Sequence, residues 1–301
     1  MRERPGLGET SGVWLLCGLI GVATLVTYAR IEPDELYHTS VGGLEGGLGR
    51  ALVFLNYPVA LVAIATLAAS LDRLGTRPVW LVPAGGAVVL CAMVAAPGVV
   101  DQDDLDAKPV NALPAGGVAL AFALFLLALR RGGLGRLGPR LRGDVIRAVV
   151  AGLLLISAIP WIFAELGFYA PWPFLAEEVR PEPEEPSLRA VHLGRHHGMD
   201  GTLLALSALA LSRVLPQLRR EWLRLALAAY LSLMLVYGLA NAAQDFWLEQ
   251  VVKRDWTDER LPTVIRPALS LEWAVLVVAA AAIYVSWLAF RRVAPQPSAD
   301  R

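Results

Sequence analysis

Residues 191 to 201 read VHLGRHHGMDG and carry His192, His196, His197 and Asp200, three of the chain's four histidines and an acid, directly before an apolar run. Imidazole and carboxylate are the side chains that ligate zinc-class ions and move protons near neutral pH. On one helix, His192, His196 and Asp200 stand at i, i+4 and i+8 and form a single stripe. That stripe rises about 12 Å, so the three cannot share one ion whose bonds are about 2.0–2.2 Å long. An adjacent pair can, if other helices complete the set.

The segment NAAQDFWLEQ (241–250) supplies such partners. Asn241, Asp245 and Glu249 make a second i, i+4, i+8 stripe with Gln244 beside it. The expected site therefore draws ligands from His192, His196, His197, Asp200 and Asp245, with zinc or manganese as the ion. An open coordination position would activate water. Glu165, in WIFAELGFY, is the expected general base, since an ionisable group inside an apolar run needs a partner or a water-filled cavity.

Two further stretches add polar groups. VVDQDDLDAKPVNALPA contributes Asp101, Asp103, Asp104 and Asp106, carboxylates suited to hard cations, without the central Gly and distal Glu of a calcium loop. EPDELYHTS contributes Asp34, Glu35, Tyr37 and His38, and Asn56 stands beside Tyr57 and Pro58 in the apolar run that follows.

The elements that must position these groups are membrane helices. Of 301 residues 56% are hydrophobic, mean hydropathy is +0.52, and the apolar residues gather into runs at about 12–29, 51–71, 78–98, 112–130, 145–168, 198–215, 222–245 and 269–290. At 1.5 Å per residue each is long enough to cross a hydrocarbon core about 30 Å thick. The sequence predicts an all-α, polytopic membrane bundle of about eight helices, one integral domain over 1–301. The N-terminal run reads as the first of these helices, not a cleaved signal, because the residues before Arg30 make a poor cleavage site.

Net charge is zero, with 27 basic and 27 acidic residues, but the signs separate. Most arginines fall on the side of the termini and most acids on the other, which by the positive-inside tendency puts both termini in the cytoplasm and every histidine at the outer face. The expected location is the cell membrane, multi-pass, with the polar site extracytoplasmic. Trp14, Trp80, Trp222 and Trp287 lie at the inner ends of spans, and Trp172, Trp247 and Trp273 near the outer ends, as in aromatic belts.

The basic loop RRGGLGRLGPRLRGD (130–144) reads as a topology anchor. Membrane lipids are the expected partner and nucleic acid is excluded. GGLEGGLG (42–49) lacks the Gly-Lys-Ser/Thr of a phosphate loop and reads as close helix packing. The Pro- and Glu-rich outer loop 169–190 is the best-placed lid. Pro160 is a kink point in the fifth span. Cys17 and Cys91 lie in different spans and do not suggest a disulfide.

Several histidines and an Asp set in helices make the composition similar to multi-spanning hydrolases of the ceramidase and adiponectin-receptor type. That likeness implies metal-dependent hydrolysis of a lipid-like substrate, although the Ser-x-x-x-His element and late His-x-x-x-His pair of those enzymes are not reproduced. PDELYH (33–38), with acids in the next outer loop, resembles the layout of multi-spanning glycosyltransferases that use lipid-linked sugars. It implies Asp34 or Glu35 as catalytic base and Asp101 to Asp106 near metal or phosphate. A third alternative is a non-enzymatic transporter or a haem- or metal-binding membrane protein, since Glu35-x-x-His38 resembles the Glu-x-x-His element of haem A synthase.

Overall fold

Long apolar runs form helices because only internal hydrogen bonding satisfies a backbone in hydrocarbon. A computed structural model describes residues 7–101, 104–134, 137–171, 178–179 and 188–293. Among the described residues, seven helices are long and apolar enough to cross a membrane: Gly8–Arg30 (α1), Gly43–Leu74 (α2), Pro78–Ala95 (α3), Pro109–Arg130 (α4), His197–Gln217 (α7), Glu221–Arg254 (α8) and Leu271–Phe290 (α9). Asp144–Ser157 (α5) and Ile159–Glu165 (α6) form a bent pair, which brings the number to eight if counted as one span. The chain is thus an all-helical, multi-pass membrane bundle.

The fifth span, expected as one helix over 145–168, turns by 58° between α5 and α6. Pro160 in the first turn of α6 has no N–H to give the preceding turn, so the break falls there. The second span starts earlier than its apolar run and contains a π turn, Leu55–Val59, with Pro58 inside it. A wider turn relieves the clash that a proline ring makes with the carbonyl four residues back.

The centre of the bundle is α2, α7 and α8, while α9 packs against α8 and exposes most of its apolar surface. Helices α7 and α8 approach until their backbones touch. A Cβ on Gly201 would lie 2.5 Å from the Gly238 carbonyl oxygen, and one on Gly238 would lie 2.6 Å from that of Gly201. Small residues facing one another permit this approach, which in a membrane replaces hydrophobic drive with close packing.

At the opposite end from the histidines, fully buried Asp72 of α2 accepts from the backbone N–H groups of Arg219 and Arg220 at 3.2 and 3.1 Å, and so fixes the turn that leads into α8. Arg213 joins Glu9 and Asp144 nearby, tying α7 to α1 and α5. Of the loop 169–190, the described residues include a two-residue antiparallel ladder, Glu178–Val179 (β1) with Leu188–Arg189 (β2). The lid expected there falls on residues that lie mostly outside the described ones, as does Trp172.

Candidate functional site

The segment 190–196 is not helical. It is an extended strap held from four sides: Lys253 donates to the Ala190 carbonyl at 2.9 Å, Leu193 bridges Leu36, the Gly194 N–H reaches the Ala164 carbonyl at 3.0 Å, and the Arg195 N–H reaches the Tyr28 hydroxyl at 2.8 Å. Gly194 has φ +96°, and a Cβ there would come within 2.3 Å of the Tyr28 hydroxyl, so only glycine fits. The helix then begins at His197, with extended His196 before it. The helical stripe of His192, His196 and Asp200 therefore does not form.

The strap nonetheless brings His192 and His196 together, their rings stacked 3.9 Å apart, with Tyr37 stacked on the far side of His192 at 4.5 Å. His192 Nδ1 lies 3.0 Å from the Leu193 carbonyl, which assigns the proton to Nδ1 and leaves Nε2 with a lone pair. Loss of solvent, then the neighbouring His196, pushes the His192 pKa well below its ordinary value, so it is neutral.

His196 is buried and bonded at both nitrogens. Nε2 donates to the His192 carbonyl at 2.9 Å, and Nδ1 faces Glu249 Oε1 at 2.9 Å and Asp245 Oδ2 at 3.8 Å. Burial opposes its charge, but Glu249 foremost and Asp245 after it outweigh that and hold the pKa above the ordinary histidine range.

Glu249 is 1% exposed, and its second oxygen accepts from Trp161 Nε1 at 2.6 Å. Among the described residues, His192, His196 and Glu249 offer ligand atoms within 4.8 Å of one another. A tetrahedral ion with bonds of about 2.0–2.2 Å needs them roughly 3.4 Å apart. The stacked rings must splay and the triangle contract to take one. Trp161 and the Leu193 carbonyl are the outer partners that would orient Glu249 and His192.

Asp245 lies beside this triangle, accepting from the Gly198 N–H at 2.8 Å and standing 3.4 Å from His197 Nδ1. His197 Nε2 meets Gln244 in a short contact. Asn241, one turn along α8, is buried and donates to the Tyr237 carbonyl at 2.9 Å.

Arg195 gathers the elements around the strap. Its guanidinium donates to Glu165 at 2.9 Å and Thr24 at 3.2 Å, forms a short ion pair with Asp200, and lies 4.2 Å over the Phe54 ring. One buried cation thus joins α1, α2, α6 and α7. Burial lowers its pKa, with Glu165 acting against that. Both expected site acids, Glu165 and Asp200, are engaged here; Asp200 also lines the cavity, whereas Glu165 does not.

A cavity of about 320 Å³ opens beside the triangle, bounded by α2, the strap, α8 and the loops. The π turn puts Asn56 and Tyr57 in its wall. Tyr57 meets the Tyr237 hydroxyl in a short contact, and Tyr237 donates to the Ile265 carbonyl at 2.8 Å.

The remaining expected residues lie further out. Asp34 and Glu35 are exposed in a 3-10 turn and do not line the cavity, and His38 packs edge-on against Tyr37 at 3.9 Å. Asp101 lines the cavity and pairs with Lys108 at 2.9 Å, Asp104 pairs with the same lysine at 3.2 Å, and Asp106 accepts from the Ser40 N–H at 3.1 Å. Asp103 lies outside the described residues.

Sequence reasoning did not single out Glu249 as a ligand, nor Trp161, Arg195, Arg50 and Lys253. The signals were there: Glu249 shares the Asp245 stripe, and Arg195 and Arg50 are arginines at the acid-rich ends of spans. Comparison with protein-family models, with curated proteins and with solved structures gave no match to this chain.

Proposed function

We propose that the protein is a membrane-embedded, metal-dependent hydrolase of a lipid-like substrate, with His192, His196 and Glu249 as the ligands of a zinc-class ion. The observation that carries the reading is that triangle, drawn from a strap and a helix about fifty residues apart and set beside a cavity of about 320 Å³. Two histidines and one glutamate are a set used by catalytic zinc, which keeps a fourth position for water and lowers its pKa.

Asp245 replaces Glu165 as the general base in this reading. It lines the cavity beside His196, whereas the Glu165 carboxylate is tied to Arg195 and Thr24. His197 and Gln244 orient Asp245 and the cavity edge. The charge separation along the chain supports an extracytoplasmic position for this site.

Elemental analysis of detergent-purified protein beside the His196→Ala and Glu249→Gln variants tests the reading. Near-equimolar zinc or manganese that falls by more than tenfold in both variants is the expected result. Metal-free protein that takes up no added zinc overturns it and leaves His196 and Glu249 as an imidazolium–carboxylate pair.

A further inference from the structure

The acids around the cavity all have partners. Asp101 pairs with Lys108 and, at 3.5 Å, with Arg266; Asp200 pairs with Arg195; Asp245 holds the Gly198 N–H; Glu249 holds His196 and Trp161. Two cations on the same cavity have no carboxylate within ion-pair distance among the described residues, and bond carbonyls instead. Arg50, 7% exposed, gives one N–H to the Leu105 carbonyl at 3.1 Å and lies 5.4 Å over the Tyr28 ring, while its Nε is buried without an acceptor. Among the described residues Lys253 hydrogen-bonds the Ala190 carbonyl alone and feels Glu249 at longer range. Neither forms an ion pair among the described residues.

A third group is also unmatched. Asn56 has no exposed surface and lines the cavity, and among the described residues no group bonds its amide oxygen or its nitrogen. A buried amide left this way is destabilising, and a ligand with a donor and an acceptor would recover the loss. The proline-bearing π turn is what sets it there.

The charges indicate the ligand. A divalent ion would be offset by Glu249 and Asp245, and Arg50 and Lys253 then leave two positive charges over. A tetrahedral, doubly ionised oxyanion satisfies both, and charge-assisted bonds to it are the strong kind. Asn56 lies six residues beyond Arg50, about 9 Å along α2. It therefore meets a hydrogen-bonding group next to the anion, and Val53, Phe54, Leu248 and Ile265 supply apolar wall beyond.

We infer that the cavity receives the phosphate group of a phosphate ester, held by Arg50 and Lys253, with Asn56 bonding the adjoining ester or hydroxyl group. This names the substrate class of the hydrolase reading and rests on it. The phosphate can be that of a lipid headgroup or free in solution.

The test is calorimetric titration of the full chain in detergent, with zinc and again with chelator, using inorganic phosphate, dihexanoyl phosphatidic acid and dihexanoyl glycerol. Phosphatidic acid is expected to bind, and Lys253→Gln and Arg50→Gln each to weaken it about tenfold, with Arg50→Lys in between. Lys253 is only half-buried, so its variant folds even if Arg50→Gln does not. Competition by inorganic phosphate assigns recognition to the phosphate itself, and binding of the lipid alone assigns it to a headgroup with its chains.

Equal affinity for dihexanoyl glycerol, or unchanged affinity in Lys253→Gln, overturns the inference. So does the absence of binding by both phosphatidic acid and inorganic phosphate in protein that retains its ion, an outcome that leaves the metal site standing. Phosphate binding by protein that never holds an ion keeps this site and removes the hydrolase reading instead.

Discussion

Replacing Arg195 by methionine is the sharpest test of how the site is held. The Arg195 side chain is 2% exposed and its partners Glu165 and Asp200 are 4% and 11% exposed, so both acids depend on this guanidinium and not on water. Methionine keeps the length of the stem and its packing but strands two buried carboxylates. Breaking one buried pair costs about 3–5 kcal/mol, and the lost stacking on Phe54 adds about 0.5–2 kcal/mol. The expected loss is roughly 4 kcal/mol or more.

Reversible unfolding in mixed micelles, followed through the nine tryptophans, measures it. The triple variant Arg195→Met/Glu165→Gln/Asp200→Asn removes the stranded charges and is expected to recover more than half the loss, since whole buried ion sets are often replaced at little cost. A single variant within about 1 kcal/mol of the parent, or a triple no better than the single, would refute the claim that this cation is the knot of the fold.

Trp161→Phe removes the N–H that holds Glu249, and zinc affinity, read by competition with a chelating dye, should fall about 10- to 100-fold. Gly201→Val forces a side chain into the Gly238 carbonyl and should cost about 1–3 kcal/mol or more. Gly238→Val should do the same, and the double variant should lose less than the sum because both break one contact. Asp72→Ala leaves the Arg219 and Arg220 N–H groups without that acceptor and should cost about 3 kcal/mol, whereas Asp72→Asn, keeping one acceptor oxygen, should lose about half as much in the same unfolding assay.

The helices were legible because hydrocarbon demands long apolar runs, and Pro160 announced the break between α5 and α6. The π turn was not, although Pro58 marked the place, because a proline can be met by a kink as well as by a widened turn. The histidines were visible as chemistry and misplaced as geometry. Helical spacing predicted a stripe, but Gly194 and the Leu36–Leu193 bridge, a contact across more than 150 residues, pull the strap straight and stack His192 on His196. Once the strap is straight, His196 lies nearer Glu249 than Asp245, an order that no local pattern encodes. Arg195 was hidden for a related reason: its partners come from four separate elements.

The π turn in α2 also bears on how this chain tolerates change in length. An α-helical turn holds 3.6 residues, and a π turn holds about one more. Deleting a single residue between Leu55 and Val59 would let α2 run on as an ordinary helix with everything before the deletion, Arg50 included, keeping its face relative to everything after it, whereas the same deletion elsewhere in α2 would rotate the two parts by about 100°. Such a deletion would remove the widened turn that seats Asn56 and Tyr57 and leave the cavity wall on either side of it in place. The segment 55–59 is thus the stretch of α2 that can lose one residue without turning Arg50 away from the cavity.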